Sequence, residues 1–331
     1  MKISLIILNY NGEKFLPKLL DSIQLQTAKP FETIVYDNAS TDRSVQLIQE
    51  RYPWVRLIIG KENLYFCRGN NEAFLHARGE VVFFLNVDLW LHPACLEEME
   101  MGMEEDVGAY GSAQRNYEGT AIVELGMGID SYAFPWQKLP EKVFYIEGSA
   151  FFIRRDLFEL MGGFDPDLVM IGEDLDLCWR LRLRGYRMKV IPSAVVYHKG
   201  GGIMGGAAST VGSAPGSYTT SRFKRFYGER NQLRNLLKNY AATTLIHLLP
   251  RFFFWKFLEI VMLILSGQVG VVRDVYWKAL VWNIAHLPET LQARKTIQAT
   301  RTVSDRGIRK YIMKGNAKLH MFFRVGVPKV S

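Results

Sequence analysis

Cysteine is scarce: Cys67, Cys95 and Cys178 are the three in 331 residues. An odd number without ligand-like spacing supports neither a disulfide framework nor a zinc site, and it fits a reducing compartment. The glycine-rich phosphate loop of dinucleotide folds is missing too. The turn after the first apolar run is Asn9-Tyr10-Asn11-Gly12, with a single glycine, which argues against nicotinamide or flavin. That first run, between Lys2 and Asn9, is too short for a signal-peptide core and reads as a strand. Acidic residues are sparse towards the other end. Residues 226–331 hold 5 Asp and Glu against 17 Lys and Arg, a net +12, whereas residues 1–225 hold 28 against 24, a net −4. The first part suits a metal or sugar site. The second needs an anionic partner, either nucleic acid or the cytoplasmic face of a membrane.

What is present is a set of strand tips. Ile3–Leu8, Thr33–Tyr36 and Val81–Leu85 are apolar runs that end at Asn9, Asp37-Asn38 and Asn86-Val87-Asp88. Runs rich in Ile, Val and Phe, with helical spacing between them, read as buried parallel strands. Phe15, Leu16, Leu19, Leu20 and Ile23 give one helix, and Ser40-Thr41-Asp42 offers N-caps to the next. With Val55–Ile59 as a strand and residues 70–77 as a helix, β-α-β-α-β-α-β covers residues 3–86. Ligands of such sheets bind beyond the carboxyl ends of the strands, so the polar tips are expected to converge on one site.

Further strands are expected at Val107–Ser112, at Val143–Ile153 with an interruption at Gly148-Ser149, and at Val195–Tyr197 before His198. Asp174–Arg184 reads as a helix stopped by Gly185. The Gly, Ala and Ser-rich stretch Gly200–Ser217 reads as a lid or a linker. Beyond a helix near Arg222–Tyr240, the run Phe252–Leu265 is shorter than the roughly 20 residues that span a membrane. It carries Lys256, Glu259 and Ser266 on one narrow face, the pattern of a helix lying in a membrane interface, with a helix packed on the catalytic domain as the alternative. Arg294, Lys295, Arg301, Arg306, Arg309 and Lys310 follow and suit anionic head groups. No aromatic-interleaved module accompanies them, so nucleic acid is not expected as a partner.

Single residues say less. A polar residue ends many strands where the chain meets water, and first-turn carboxylates such as those of Gly172-Glu173-Asp174-Leu175-Asp176 also serve a helix dipole. Three acids in four positions exceed that need, and His198 gains weight beside Asp88 and three aligned tips.

The ordered blocks Leu8–Gly12, Val35–Thr41, Glu62–Asn71, Phe84–Asp88, Gly162–Asp165, Gly172–Arg180 and Tyr197-His198 resemble those of the family 2 glycosyltransferases over residues 1–240. Arg230-Asn231 and Leu287-Pro288-Glu289-Thr290 look like the rhamnosyltransferase branch. The resemblance implies a GT-A fold and inverting transfer from a nucleotide diphosphate sugar. It implies Asp174 as the catalytic base, Asp88 and His198 as ligands of Mg²⁺ or Mn²⁺, and Asn9, Asn11, Asp37, Asn38, Asn70 and Asn86 around the donor. In two places the chain departs from the pattern. Asn86 leaves Asp88 as the only carboxylate of its block, and Tyr65 stands where the family usually has glycine.

The expectation is an α/β protein of GT-A fold, a doubly wound, mostly parallel sheet followed by a C-terminal helical membrane-associating region. Residues 1–225 would form the catalytic domain and 226–331 the basic helical part. Its partners would be a nucleotide diphosphate sugar donor, a polyprenyl-linked glycan acceptor and an anionic membrane surface on the cytoplasmic side, bound peripherally or monotopically. A sugar nucleotidyltransferase would need a basic, Gly-rich loop after the first strand, which is absent. A non-catalytic nucleotide-sugar-binding protein is the remaining alternative.

Overall fold

Ile3–Asn9 forms β1, in which Leu5, Ile6 and Ile7 are fully shielded from water. Burying each such side chain stabilises the fold by about 1.5–3 kcal/mol. A strand this apolar on both faces belongs in the middle of a sheet. Accordingly β1 lies between β2 (Glu32–Asp37) and β4 (Val81–Asn86), parallel to both. β3 (Arg56–Ile59), half exposed, takes the edge beside β2. The described residues of the computed structural model are 1–137, 143–200, 219–325 and 329–330.

Beyond β4 the sheet becomes mixed. It continues through β10 (Ala150–Arg154), β6 (Val107–Asn116), β11 (Arg187–His198) and β5 (Leu89–Leu91), with β7 (Ile122–Glu124) beside β6. β8 (Met127–Asp130) and β9 (Pro135–Gln137) pair antiparallel in a separate small sheet. β10 runs antiparallel to β4 and β6, β11 parallel to β6, and β5 antiparallel to β11. Helices α1 (Leu16–Gln24), α2 (Ser44–Arg51) and α4 (Cys95–Met101) pack one face around Leu19, Leu20, Ile48 and Met99. Helices α3 (Tyr65–Phe74), α5 (Arg155–Leu160) and α6 (Glu173–Leu183) pack the other. Helices α7 (Arg222–Asn239) and α8 (Ala242–Leu265) join that second core through Leu233, Leu236, Leu248 and Phe252.

Several boundaries differ from the sequence reading. The expected strand Val143–Ile153 is reduced to β10, because Gly148-Ser149 turns the chain and Tyr145 makes only an isolated bridge to Met127. β6 runs on to Asn116, and β11 is twelve residues long, passing Pro192 where the register with β6 shifts between Ile191 and Val195. A proline is tolerated at such an irregularity because no ladder N–H is required there. The 225/226 boundary falls inside α7, so the two expected parts share a helix. α8 has 24 residues, with Pro250 inside it. Among the described residues no helix is long and apolar enough to cross a membrane. The stretch read as a lid or linker, residues 201–217, lies outside the described residues apart from Gly200.

The polar stripe of α8 points inward. Lys256 bonds Glu229 and reaches Gln232 Oε1 at 2.8 Å, while Glu259 meets Arg225 and Lys318. Phe253, Phe254 and Phe257 stay exposed on the outside. Two cations expected at head groups are used internally: Arg294 donates to the carbonyls of Leu237 and Tyr240, and Arg301 pairs with Asp305 at 2.6 Å. Lys295, Arg306, Arg309 and Lys310 are exposed.

Candidate active site

The register of the parallel strands sets Asn9 beside Asp37 and Leu8 beside Asn86, so the three polar tips do meet at one end of the sheet. They divide into two groups. In the first, Asn9 is fully buried and its Nδ2 donates to Asp37 Oδ1 at 2.7 Å and to Ser44 Oγ at 2.9 Å. Asp37 Oδ2 accepts from the Ser40 N–H, and Asn11 Oδ1 accepts from the Thr41 N–H. Asn9 thus holds the loop that presents Asp37 and Asn11. Gly12 is required there, since a Cβ would lie 2.2 Å from Asn9 Oδ1.

Asn38 shapes the next wall. Its Oδ1 accepts from the Leu64 N–H, and its Nδ2 donates to Asn63 Oδ1 at 2.8 Å and to the Tyr65 carbonyl at 3.3 Å. Tyr65 itself has φ +56°, the left-handed conformation that glycine adopts freely and other residues reach at about 1–2 kcal/mol. Asn70 is buried within α3 and donates to the Phe66 carbonyl, so its amide is used inside its own helix.

The second group lies across the sheet. β5 pairs antiparallel with the end of β11, placing His198 opposite Leu89, one residue from Asp88. His198 Nε2 is 3.4 Å from Asp88 Oδ1. On the other side of the ring, Nδ1 is 3.0 Å from Gln114 Oε1. Gln114 Nε2 donates to Glu124 Oε2 at 2.6 Å and to Ser149 Oγ at 3.0 Å, which leaves its Oε1 as the acceptor for the imidazole. His198 therefore carries its proton on Nδ1 in the neutral form and aims the Nε2 lone pair at a carboxylate oxygen. Two electron-rich atoms facing each other at 3.4 Å fit a cation between them. Ligands about 2.0–2.2 Å from one ion commonly sit near that separation. Among the described residues no three His, Cys, Asp or Glu side chains form a complete metal cage. Mg²⁺-type sites take one or two carboxylates and complete the shell with substrate phosphate.

Ser149 continues the connection. Its carbonyl accepts from the Asn86 N–H, and the N–H of its neighbour Gly148 donates to Asp174 Oδ2 at 2.9 Å. A path of hydrogen bonds thus runs from His198 through Gln114 and the Gly148-Ser149 turn to Asp174. Asp174 is pushed up to about 7, first by burial and then by the negative charge of Glu147, against the pull of the Gly148 N–H. Glu173 is buried among the same acids and is held well above the usual carboxylate range by desolvation and by Asp174. Glu124 is likewise raised by burial and by Glu147. A carboxyl titrating near neutrality is suited to general acid–base work.

Asp176 does something else. Burial pushes its carboxyl up, yet Lys238 and Arg180 hold it below its usual range, at 2.9 and 2.8 Å. It fastens α6 to α7. So does a pair of residues from the Arg230-Asn231 motif. Asn231 Nδ2 lies 2.7–2.8 Å from the carbonyls of Leu168, Met170 and Ile171, and Arg230 Nη2 reaches those of Asp167 and Leu168. Asn235 adds the Gly172 carbonyl. These amides hold a loop in which Val169 and Ile171 have φ of +64° and +67° and Gly172 has +87°. β-branched residues rarely accept such angles, so the clamp fixes the strained entry to α6 and hence Asp174.

Sequence reasoning missed Gln114, Glu124 and Ser149. The available signal was the Gly-Ser break that interrupts Val143–Ile153.

Residues 4–162 match the family model described as Glycosyl transferase family 2. Among curated proteins, the chain is similar to the N-acetylglucosaminyl-diphospho-decaprenol L-rhamnosyltransferase of Mycobacterium tuberculosis. The two are 26% identical over 259 residues, 67% of this chain and 81% of that protein. It is also 26% identical over 218 residues to the O-antigen chain rhamnosyltransferase of Salmonella typhimurium, covering 60% of this chain and 66% of the other. A mannosyltransferase from Pyrobaculum calidifontis, solved with GDP-Man and Mn²⁺, shares the fold with a TM-score of 0.52 at 17% identity. The match covers 94% of this chain and 85% of that one. The fold is GT-A, as expected.

Proposed function

Because the chain belongs to glycosyl transferase family 2 and is a glycosyltransferase, we propose that it transfers a sugar, with inversion, from a nucleoside diphosphate donor to a lipid-linked glycan. The observation that carries this reading is the hydrogen-bonded path joining the Asp88–His198 pair to Asp174. One end suits a diphosphate leaving group and the other suits a proton acceptor.

In this reading Asp37, Asn11 and Asn38 bind the nucleoside, held by Asn9 and by the loop at Asn63–Tyr65. Asp88 and His198 would hold Mg²⁺ or Mn²⁺, which would supply positive charge against the departing diphosphate. Gln114 fixes the imidazole so that Nε2 points to Asp88 and would be free to act as a ligand. Asp174 takes the proton of the acceptor hydroxyl as its oxygen bonds to the anomeric carbon. The bond from that carbon to the diphosphate oxygen breaks on the opposite face, so configuration inverts in one displacement. Burial and the neighbouring Asp174 raise the Glu173 carboxyl and so favour its neutral form beside the base.

Rhamnose from a deoxythymidine diphosphate donor is the first candidate, supported by the names of the two rhamnosyltransferase relatives. The first of those names also supports a polyprenyl diphosphate carrier. Exposed Phe253, Phe254 and Phe257 on α8, with Lys295, Arg306, Arg309 and Lys310 elsewhere in the C-terminal part, support a place on an anionic membrane face. The test is a panel of nucleotide sugars with GlcNAc-diphospho-decaprenol and Mn²⁺, read by mass spectrometry of the lipid product. Transfer of one sugar, lost on chelation, is expected. Absence of transfer from every donor overturns the reading.

A further inference from the structure

A cavity of about 210 Å³ lies between α8 and helix α9 (Ala317–Val325), and none of the residues assigned to donor or base lines it. Phe252, Leu258, Met262, Leu263, Val271 and Phe322 form its apolar wall. Apolar voids of about 150 Å³ stay dry and take up a guest as large as benzene, so this one has room for a hydrocarbon segment.

The polar end of the cavity is already matched. Arg225, Lys256 and Lys318 face Glu229, Glu259 and Asp130, three cations against three carboxylates. Lys318 Nζ lies 2.5 Å from Glu229 and 2.9 Å from Glu259, Arg225 bonds Glu259, and Lys256 bonds Glu229. Asp130 accepts the N–H groups of Tyr132, Phe134 and Ala317 at 2.8–2.9 Å. A charged ligand group would have to break one of these pairs, which is costly in a buried site. A hydrocarbon would not.

The two helices that flank the cavity also carry exposed apolar surface. Trp255, Met321 and Phe322 are half-buried, and Phe253, Phe257 and Phe323 on the same two helices are exposed by 46%, 61% and 79%. The first turn of α7 links this region to the catalytic cleft. Arg225 lines the cavity, the adjacent Lys224 lies within the field of Asp88, and the Phe223 ring is 6.5 Å from that of Tyr65. The first turn of α7 therefore carries Arg225 at the cavity and Phe223 beside Tyr65 on the cleft wall.

We propose that this cavity seats the first isoprenoid units of the acceptor's carrier lipid, so that the enzyme recognises lipid as well as glycan. The inference rests on the lipid-linked acceptor reading above. The probes are GlcNAc diphosphate esterified to geraniol or to methanol, with the full chain, donor and Mn²⁺. Wild-type protein should show a KM at least about tenfold lower for the geranyl ester. Leu263→Trp and Val271→Phe, which fill the cavity, should each reduce that preference towards unity, with Tm recorded for both.

Equal KM for the two esters in wild-type protein overturns the inference and leaves glycosyl transfer standing. Failure to glycosylate either ester overturns the acceptor reading instead. A filled variant that melts higher and keeps the geranyl preference identifies a simple packing void. If phosphatidylglycerol vesicles lacking polyprenyl lipid compete the preference away, the cavity takes acyl chains and the proposal fails.

Discussion

Gly148 donates its backbone N–H to Oδ2 of Asp174 at 2.9 Å, and this bond joins the turn that carries Ser149 to the first turn of α6. A donor aimed at a carboxylate favours its charged form, while burial and Glu147 oppose it, and the balance leaves Asp174 near 7. As a general base Asp174 works ionised, so kcat/KM should rise with pH to about 7 and level off above. Asp174→Asn should lower kcat by roughly 10²-fold or more and leave nucleotide binding nearly intact. A near-normal kcat in that variant removes Asp174 from the role.

The same shift has a sign in stability. Its pKa is raised from 3.8 to about 7 on folding, so the folded chain binds this proton more tightly than the unfolded chain between those values. The stabilisation is complete below about 3.8 and is lost as pH rises through about 7. Asp174→Asn has no such loss. Its Tm relative to wild type should therefore increase from pH 5 to pH 8, measured by thermal melts at fixed ionic strength. A Tm difference that stays flat would mean that Asp174 titrates as an ordinary exposed carboxylate.

Gln114 orients His198, and its loss should read out as a metal effect. Outer-shell partners of ligating histidines typically account for 10–100-fold in metal affinity. Gln114→Leu should weaken Mn²⁺-dependent binding of a nucleoside diphosphate by about that factor and barely change binding of the nucleoside. His198→Ala should do at least as much. Calorimetry with and without Mn²⁺ checks both, and an unchanged metal dependence in His198→Ala excludes the histidine as a ligand.

Asn231 supplies one amide group to three carbonyls of the loop before α6. Asn231→Ala leaves buried carbonyls without that donor, which costs about 1–3 kcal/mol. It also frees Val169 and Ile171 to leave their left-handed conformations, displacing Asp174. The expected result is a lower Tm together with a fall in kcat larger than any change in donor KM. Unaltered kcat at a lowered Tm would limit Asn231 to a purely structural role.

The strand tips were legible because each apolar run stops at a side chain that can only belong outside the core. Asp88 and His198 were legible as residues, and their adjacency comes from β5, three residues long and too short to show a pattern. Gln114 was not legible, since a buried glutamine in a strand looks like ordinary alternation until its partners are placed. The α8 stripe was read with the right residues, and the packed alternative holds for its polar face. Lys256 and Glu259 do share a face, but periodicity does not say whether that face meets water or Arg225, Glu229 and Lys318. The same applies to Arg294 and Arg301, which a sequence counts as free charge and the fold spends on carbonyls and Asp305.

That inversion sharpens the membrane prediction. With its charges turned inward, α8 leaves Phe253, Phe254 and Phe257 exposed by 46–61%, a surface that water disfavours and a lipid interface would accept. Four of the expected basic residues, Lys295, Arg306, Arg309 and Lys310, remain available, each contributing about 1 kcal/mol if held near an anionic bilayer. The protein should float with phosphatidylglycerol liposomes, and 0.5 M salt should weaken that association only in part, because the apolar contribution is not screened. Replacing the three phenylalanines by serine should release the protein at any salt concentration. The serine variant should still hydrolyse soluble donor, since these exposed residues are none of those assigned to donor, metal or base. If wild-type protein stays at the bottom of the gradient with anionic liposomes, the exposed phenylalanines meet something other than lipid, and a soluble acceptor becomes the better reading of the site.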